Sequence, residues 1–327
     1  MKAKQRTLAF LLALVLAAGA ALALLTHANQ KAEQAASEAE DGSIPLLDVT
    51  AATLESISIQ YGGETLTLRP SDDGWTLTED PAYHLDDSAC STIRTALAGM
   101  KAKRQLEAQP GEDYGLADPA VTVTVTAAGE TNTFAFGTEN PVTGDLYVQK
   151  AGDDAVYTVS GNKAACFELT KADIFGTFNP AELTVSALES VSITTGSGTL
   201  ALNAVSEPAE AESDSSESAA DSTTYQTVWR LADEPSADLD DSKVQSILSA
   251  LAGYVTAQIT DADPSAYGFD APLATVRAAS ADGTVTIHYA ENADGCWMMV
   301  EGDSSVYAVD LDTVQALLIT ATALKAE

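Results

Sequence analysis

The feature that most constrains the fold of this chain is a long internal duplication. Residues 54–59 (LESISI) return as residues 188–193 (LESVSI). The later matches keep the same order: 74–77 with 228–231, 85–88 with 239–242, 114–116 with 267–269, and 156–159 with 306–309. An ordered series of matches over this length indicates two diverged copies of one structural unit.

The spacing between matching residues changes once along the chain. It is about 134 residues at the first match and about 154 at the next. The step coincides with residues 206–224, SEPAEAESDSSESAADSTT, which are rich in acidic residues and serine. Such a segment can bury almost no apolar surface, so we predict a disordered surface insertion in the second copy. The first repeat is then assigned to residues 46–180 and the second to residues 181–327.

Each copy reads as an antiparallel sheet with a helix set apart from it. Alternating apolar residues on both sides of Gly62-Gly63 predict a β-hairpin. A helix is predicted to begin at Asp86 or Asp87, and glycines at 99 and 253 are predicted to cap the two main helices at their ends. A run of short strands follows, and a short helix closes each unit, at 163–169 and 311–319. The predicted class is α+β, in two tandem copies after one N-terminal transmembrane helix.

The N-terminal part of the chain indicates membrane attachment. Residues 7–25 form an uncharged apolar run, roughly 28 Å long as a helix, which matches the thickness of a bilayer core. Basic residues fall within 1–6 and acidic ones within 26–45, an acidic tether, so the positive-inside rule places the bulk of the chain outside the cytoplasm. A cleaved signal peptide is the alternative, because residues 21–23 and 26–28 resemble cleavage sites.

The charge of the chain limits its partners. It has 48 acidic and 16 basic residues, which give a formal net charge of -32. That charge repels phosphate backbones and anionic lipid headgroups, so we predict no nucleic-acid partner and a hydrophobic mode of membrane attachment.

Comparison of the copies removes most candidate catalytic residues. Each cysteine stands opposite a small or apolar residue: Cys90 opposite Val244, Cys166 opposite Ala316, and Cys296 opposite Leu146. Buried cysteines of this kind pack as small hydrophobic residues. His27, His84 and His288 have no nucleophile or second histidine at a recognisable catalytic spacing. We predict no catalytic residues, no metal site and no cofactor.

Several acidic clusters are open to two interpretations. Residues 72–73, 112–113 and 261–263 could supply oxygen ligands to Ca²⁺, but they lack the EF-hand spacing. We therefore favour the interpretation that they serve as turn and cap residues.

The most motif-like feature is a Tyr-Gly turn in each copy, at residues 114–116 and 267–269. Its glycine permits a positive φ and a proline follows it at 119 or 272. Either the turn is structural and packs its aromatic ring on the sheet, or Tyr114 and Tyr267 line two equivalent ligand grooves.

The order of these landmarks resembles the bacterial family catalogued as domain of unknown function 4340. The matching features are the lysine-bearing N-terminus with its apolar run, 54–59, 74–77, 86–87, 114–119 and 156–159. The resemblance implies a membrane-anchored extracytoplasmic protein, and some family members accompany ABC-type export systems of the gliding-motility kind. It carries over no catalytic residues, and the acidic insertion departs from the usual pattern.

Three functional hypotheses follow. The first is a non-enzymatic binding or scaffold protein, anchored in the membrane and accessory to ABC transporter permease subunits. The second is an independent cell-envelope module that binds peptide, glycan or divalent cations. The third is an exported hydrolase, which requires a nucleophile and a base that meet in a cleft.

Overall fold

The computed structural model describes residues 44–72, 74–109, 111–208 and 225–326. The predicted anchor, 7–25, and the tether up to residue 43 lie outside the described residues. The last two tether residues, Ile44–Pro45, form strand β1, which pairs with β5, Lys101–Ala102. No helix within the described ranges is long and apolar enough to cross a membrane.

The described chain divides into two compact units. The first unit contains the residues up to Glu79 together with Asp87–Lys171, and the second contains Asp80–Asp86 and the chain from Ala172 onward. The sequence places the division after residue 180, whereas the contacts of the chain place it after Lys171. The reason is that Phe175 and Phe178 pack against the core of the second unit.

The first unit is an eight-stranded antiparallel sheet with one main helix. Its remaining strands are β2 (Leu54–Tyr61), β3 (Glu64–Ser71), β4 (Gly74–Leu77), β6 (Arg104–Leu106), β7 (Val121–Ala127), β8 (Glu130–Glu139), β9 (Asp145–Lys150) and β10 (Val156–Ser160). Their order in the sheet is β4-β3-β2-β7-β8-β9-β10-β6. The helices are α1 (Asp87–Ala98) and the single turn α2 (Gly161–Ala164).

The second unit repeats this arrangement strand for strand. Its strands are β11 (Leu188–Thr195), β12 (Gly198–Pro208), β13 (Tyr225–Leu231), β14 (Ala257–Ile259), β15 (Ala274–Ser280), β16 (Gly283–Asn292), β17 (Gly295–Val300) and β18 (Val306–Val309). Their order is β13-β12-β11-β15-β16-β17-β18-β14, and the helices are α3 (Asp241–Leu251), α4 (Leu311–Leu317) and α5 (Ala321–Leu324). The predicted α+β class and the tandem duplication are confirmed.

Alternation along the strands decides which face of each sheet is covered. In β2, Ile57 and Ile59 are fully buried, while Ser58 between them points to the other face. Helix α1 covers the apolar face with Ile93 and Leu97, which are also almost fully buried. The opposite face carries rows of hydroxyl side chains that bond across strands, such as Thr124 to Thr133 at 3.0 Å.

The predicted hairpin is present, because Gly62 and Gly63 join β2 to β3 with φ values of +60° and +86°. Two positive φ values in succession are the requirement of a type I′ turn, which a Gly-Gly pair meets without strain.

The predicted start of the first main helix is confirmed, because α1 begins at Asp87. Helix α3 begins after Asp240, whose carboxylate accepts a bond from the Ser242 backbone N–H at 3.0 Å. The predicted glycine caps are wrong, because neither Gly99 nor Gly253 has a positive φ. Helix α3 instead ends in a right-handed residue, Ala252.

Two further boundaries differ from the sequence prediction. The first closing helix is not one helix over 163–169 but the single turn α2 followed by a 3-10 turn at Ala165–Phe167. Residues 206–208, predicted as loop, continue β12 and pair with β13. A bidentate ion pair between Arg230 and Glu207, at 3.0 and 2.8 Å, accounts for this extension. Residues 209–224 lie outside the described chain.

Candidate functional site

The Tyr-Gly turn of the first unit lies directly on strand β8. Gly115 has a φ of +70°, as predicted, and the Thr138 backbone N–H donates to the Tyr114 carbonyl at 2.9 Å. This bond brings the Tyr114 ring against Tyr147 of β9, with 4.9 Å between ring centroids and an angle of 69° between the rings. Such an edge-to-face contact is a favourable aromatic geometry.

Polar groups fix the two rings of this first aromatic pair. The Tyr114 hydroxyl donates to Glu112 at 2.9 Å and accepts a 3.3 Å bond from the Gln109 backbone N–H. The bond from Gln109 lowers the pKa of Tyr114, but burial and the Glu112 carboxylate outweigh it, so the pKa is raised. The Asn140 amide donates to the Tyr147 hydroxyl at 2.9 Å.

The second unit builds an equivalent pair from different rings. Tyr267 contacts Trp297 of β17, with 4.7 Å between ring centroids and an angle of 71° between the rings. Gly268 has a φ of +89° and ends a 3-10 turn over Pro264–Tyr267. Asn292 accepts a 2.8 Å bond from the Trp297 indole N–H and donates to the Ala266 carbonyl at 3.0 Å.

Each sheet therefore presents a half-buried aromatic pair beside an asparagine. The sequence identified Tyr114 and Tyr267 but not their partners Tyr147 and Trp297. Those partners stand at equivalent positions of β9 and β17, so a comparison of the two copies restricted to aromatic residues could have found them. Both interpretations of the turn fit this arrangement, because the rings pack on the sheet and also remain partly accessible.

None of the three cysteines, all of which the structure describes, forms a disulfide bond. Cys90 and Cys296 are buried, whereas Cys166 is only half-buried and donates to the Lys163 carbonyl at 3.2 Å. Burial raises the pKa of Cys166 to about 11, which keeps this thiol protonated and unreactive at neutral pH.

The described histidines make one contact relevant to the hydrolase hypothesis. His84 stacks on Phe178, with ring centroids 4.1 Å apart. The Nδ1 atom of His288 lies 3.1 Å from the Thr275 hydroxyl. Within the described residues no carboxylate bonds to the His288 ring. The contact is a cross-strand pair of the kind that Thr124 and Thr133 make on the first sheet.

The acidic clusters are used in turns and caps where the structure describes them. The Asp113 carboxylate accepts from the Gly115 backbone N–H at 2.8 Å, and that of Asp263 accepts from the Ser265 N–H at 3.1 Å. Among the described residues there is no group of three or more His, Cys, Asp or Glu side chains placed to hold a metal ion.

Trp75 and Trp229, which stand at equivalent positions of the two copies, differ in burial. Trp229 is buried in the second core. Trp75 is half-buried and lies 5.6 Å below the Arg94 guanidinium, a cation–π contact within the first unit.

A polar groove lies in the first unit beside helix α1. The side chains that line one wall come from Ser88, Ser91, Thr92 and Thr95, and Asn162 and Lys163 line the other. We call it the serine–threonine groove. It has a volume of about 390 Å³ and is open to solvent.

The fold and these sites define a duplicated α+β protein, in which each copy presents one antiparallel sheet, one main helix and one aromatic pair. Two adjacent segments, residues 75–228 and 229–326, match the family model described as Domain of unknown function (DUF4340). These segments cover most of the chain, which therefore belongs to this family. No curated protein and no solved structure matches it.

Proposed function

We propose that this protein is a non-enzymatic, membrane-anchored extracytoplasmic binding or scaffold protein, accessory to an ABC-type transporter. The observation that supports binding is the aromatic pair that recurs at the same place on both sheets, Tyr114 with Tyr147 and Tyr267 with Trp297. Tyrosine and tryptophan are enriched at protein interfaces because they offer a large rigid contact area with a polar tip.

The hydrogen bonds and turns that hold the two aromatic pairs also favour a binding role. In each pair the rings are fixed by asparagine and by a turn with a positive-φ glycine, so little side-chain freedom remains to be lost on binding. The apolar run at 7–25 supports attachment to the membrane, and the transporter association rests on family members that accompany ABC-type export systems.

Site-specific photocrosslinking in the native membrane tests this proposal. A photoreactive phenylalanine analogue is placed at Tyr147 or Tyr267 of the full-length chain, and at Tyr254 as a control, since Tyr254 is exposed but belongs to neither pair. We expect adducts from the first two positions that contain a transporter permease subunit, and none from Tyr254.

Co-purification in mild detergent gives an independent measurement. Recovery of the chain without any membrane partner, even after crosslinking, contradicts the proposal. Adducts that contain only wall peptide or glycan would replace the transporter role with that of an independent cell-envelope module. Release of the chain from the membrane by a signal peptidase would contradict the anchor.

A further inference from the structure

Strand β13 forms one edge of the second sheet, and a groove borders its outer side. The strand stands at the end of the strand order, so among the described strands it pairs only with β12. Five consecutive residues of β13, Gln226–Arg230, line the groove, although their side chains alternate between the two faces of the sheet. The groove therefore follows the edge of the strand and not one face of the sheet, and we call it the edge groove.

The backbone of β13 has hydrogen-bonding groups that face the edge groove. The Ala232 N–H donates to the Ala201 carbonyl of β12 at 2.9 Å, and in an antiparallel pair such bonds recur at every second residue. The backbone groups of Thr227 and Trp229 therefore point away from β12 and toward the groove. An exposed edge of this kind is a template on which one more strand can pair.

Helix α3 forms the opposite wall of the edge groove. Asp241, Val244 and Gln245 line this wall, and their spacing of three and four residues places them on one face of the helix. The groove has a volume of about 610 Å³, and its five β13 residues extend over roughly 17 Å. When a peptide adds to a sheet edge, its main chain bonds to the edge strand and its side chains enter neighbouring pockets. An edge strand beside a helix provides both kinds of contact.

The equivalent edge of the first unit differs in two ways. Strand β4 spans four residues, Gly74–Leu77, whereas β13 spans seven. Helix α1 also places the Arg94 guanidinium 5.6 Å from the centre of the Trp75 ring. The counterpart of Arg94 in the second copy is Leu248, which is buried in the core, so α3 carries no cation at this position. The fold of the repeat therefore does not require a long open edge at this place.

The charges that line the edge groove favour a basic occupant. Arg230 and Glu207 are joined by bonds of 3.0 and 2.8 Å, so their charges offset each other. Asp241, which is exposed in the first turn of α3, gives the lining residues a net negative charge. A second copy of the chain would bring a formal charge of -32 to the groove and be repelled, whereas a basic side chain would be attracted.

We infer that the edge groove binds an extended peptide segment of a partner protein, and that this segment carries a basic side chain. The segment pairs as a strand with the backbone of Thr227 and Trp229, and its arginine or lysine pairs with Asp241. This site is additional to the aromatic pairs and does not depend on the scaffold role, since a free peptide can bind without any transporter subunit.

Fluorescence anisotropy with synthetic peptides and the full-length chain in neutral detergent tests the inference. The probe is a dye-labelled heptapeptide, TVTRVTV, whose β-branched residues favour an extended conformation and whose central residue is arginine. One control peptide has glutamate in place of the arginine. The other carries N-methyl groups on two adjacent central amides. Adjacent amides face opposite edges of a strand, so this methylation blocks pairing through either edge of the peptide.

The three peptides should differ in affinity. We expect the arginine peptide to bind with a Kd below about 1 mM. The glutamate peptide should bind at least about threefold more weakly, because it loses an exposed ion pair with Asp241. The methylated peptide should bind about tenfold or more weakly, because it loses main-chain hydrogen bonds to β13.

Two variants with matched controls locate the site. Thr227→Pro removes a backbone donor that faces the groove but leaves the bonds to β12 in place, so binding of the arginine peptide should weaken by about tenfold. Thr227→Val keeps this donor and should leave the affinity within about twofold. Asp241→Asn should weaken binding by about threefold, whereas Asp87→Asn, at the equivalent position of α1, should leave it unchanged. Thermal melts of each variant confirm folding.

Four results would overturn the inference. The first is a Kd above about 1 mM for the arginine peptide. The second is that either control peptide binds as tightly as the arginine peptide. The third is that a folded Thr227→Pro or Asp241→Asn protein binds the arginine peptide like the unmodified chain. The fourth is that the unmodified chain sediments as a dimer and Thr227→Pro as a monomer, which would assign the edge to a second copy of the chain.

Discussion

Replacing Gly137 with alanine should displace the Tyr-Gly turn of the first unit. A Cβ at this position would lie 2.1 Å from the Tyr114 carbonyl oxygen and 3.1 Å from the Gly115 carbonyl carbon. The first distance is far below 3.0 Å, a limit that real Cβ atoms do not cross. Both contacts are backbone atoms, so no side-chain rotation can relieve them, and the turn must move by about 1 Å.

The energetic cost follows from what that movement breaks. Inserting a methyl group into a packed site costs about 1–3 kcal/mol. The 2.9 Å bond from the Thr138 N–H to the Tyr114 carbonyl is lost as well, at about 1 kcal/mol. Alanine restricts the unfolded chain and returns about 0.4–1 kcal/mol. The expected net loss is about 1–4 kcal/mol.

Urea denaturation combined with hydrogen exchange of peptides from β7, β8 and β9 measures this loss in the first unit alone. Gly196→Ala is the control, because its Cβ would meet nothing within 4 Å and its φ is not positive. A Gly137→Ala protein as stable as the unmodified chain, or a control that loses equal stability, would refute the steric reasoning.

Three smaller predictions concern single side chains. Gln258 is buried within the second unit and bonds to Ser305 and to two backbone groups, so Gln258→Leu should cost about 2–4 kcal/mol in urea denaturation. The buried Thr158 hydroxyl has no hydrogen-bond partner among the residues that the structure describes, so Thr158→Val should stabilise the first unit by about 1 kcal/mol in the same assay. A bond from Tyr157 lowers the pKa of Asp153 from 3.8, so its stabilisation is present above that pH and is lost as pH falls below it. Asp153→Asn should remove that loss when urea midpoints at pH 6 and pH 3 are compared.

Each of these has a distinct contradicting result. A Gln258→Leu protein as stable as the unmodified chain would contradict the first prediction, because it would show that the three hydrogen bonds contribute nothing. A Thr158→Val protein that is less stable than the unmodified chain would contradict the second prediction, because it would show that the hydroxyl is hydrogen-bonded. An Asp153→Asn protein whose urea midpoint falls as far between pH 6 and pH 3 as that of the unmodified chain would contradict the third prediction, because other carboxylates would then be responsible.

Local patterns account for the parts of the fold that the sequence predicted correctly. The hairpin at Gly62-Gly63 and the start of helix α1 at Asp87 depend on neighbouring residues, and both are present. The predicted glycine caps at Gly99 and Gly253 were wrong because a glycine permits a left-handed conformation at a helix end without requiring it. Residues 206–208 were misplaced because their acidic composition gave no sign of the cross-strand partner Arg230.

The candidate sites depended on contacts between residues distant in sequence. Tyr114 and Tyr267 could be found from a local motif, but Tyr147 and Trp297 are reached only when β9 and β17 are placed in their sheets. The serine–threonine groove was missed because it forms between α1 and a turn about seventy residues later along the chain.

The two copies have kept an aromatic pair beside an asparagine at the same place on the sheet, but the chemistry of the pair has diverged. Asn140 donates to the Tyr147 hydroxyl, whereas Asn292 accepts from the Trp297 indole N–H, so the polarity of the same bond is reversed. The tyrosine hydroxyl can both donate and accept, but the indole N–H can only donate and is already engaged. At this ring position the first pair can therefore still donate a hydrogen bond, through the Tyr147 hydroxyl, whereas the Trp297 indole cannot. A partner that contacts both pairs must meet them with different chemistry, which favours an asymmetric partner surface over two identical ones.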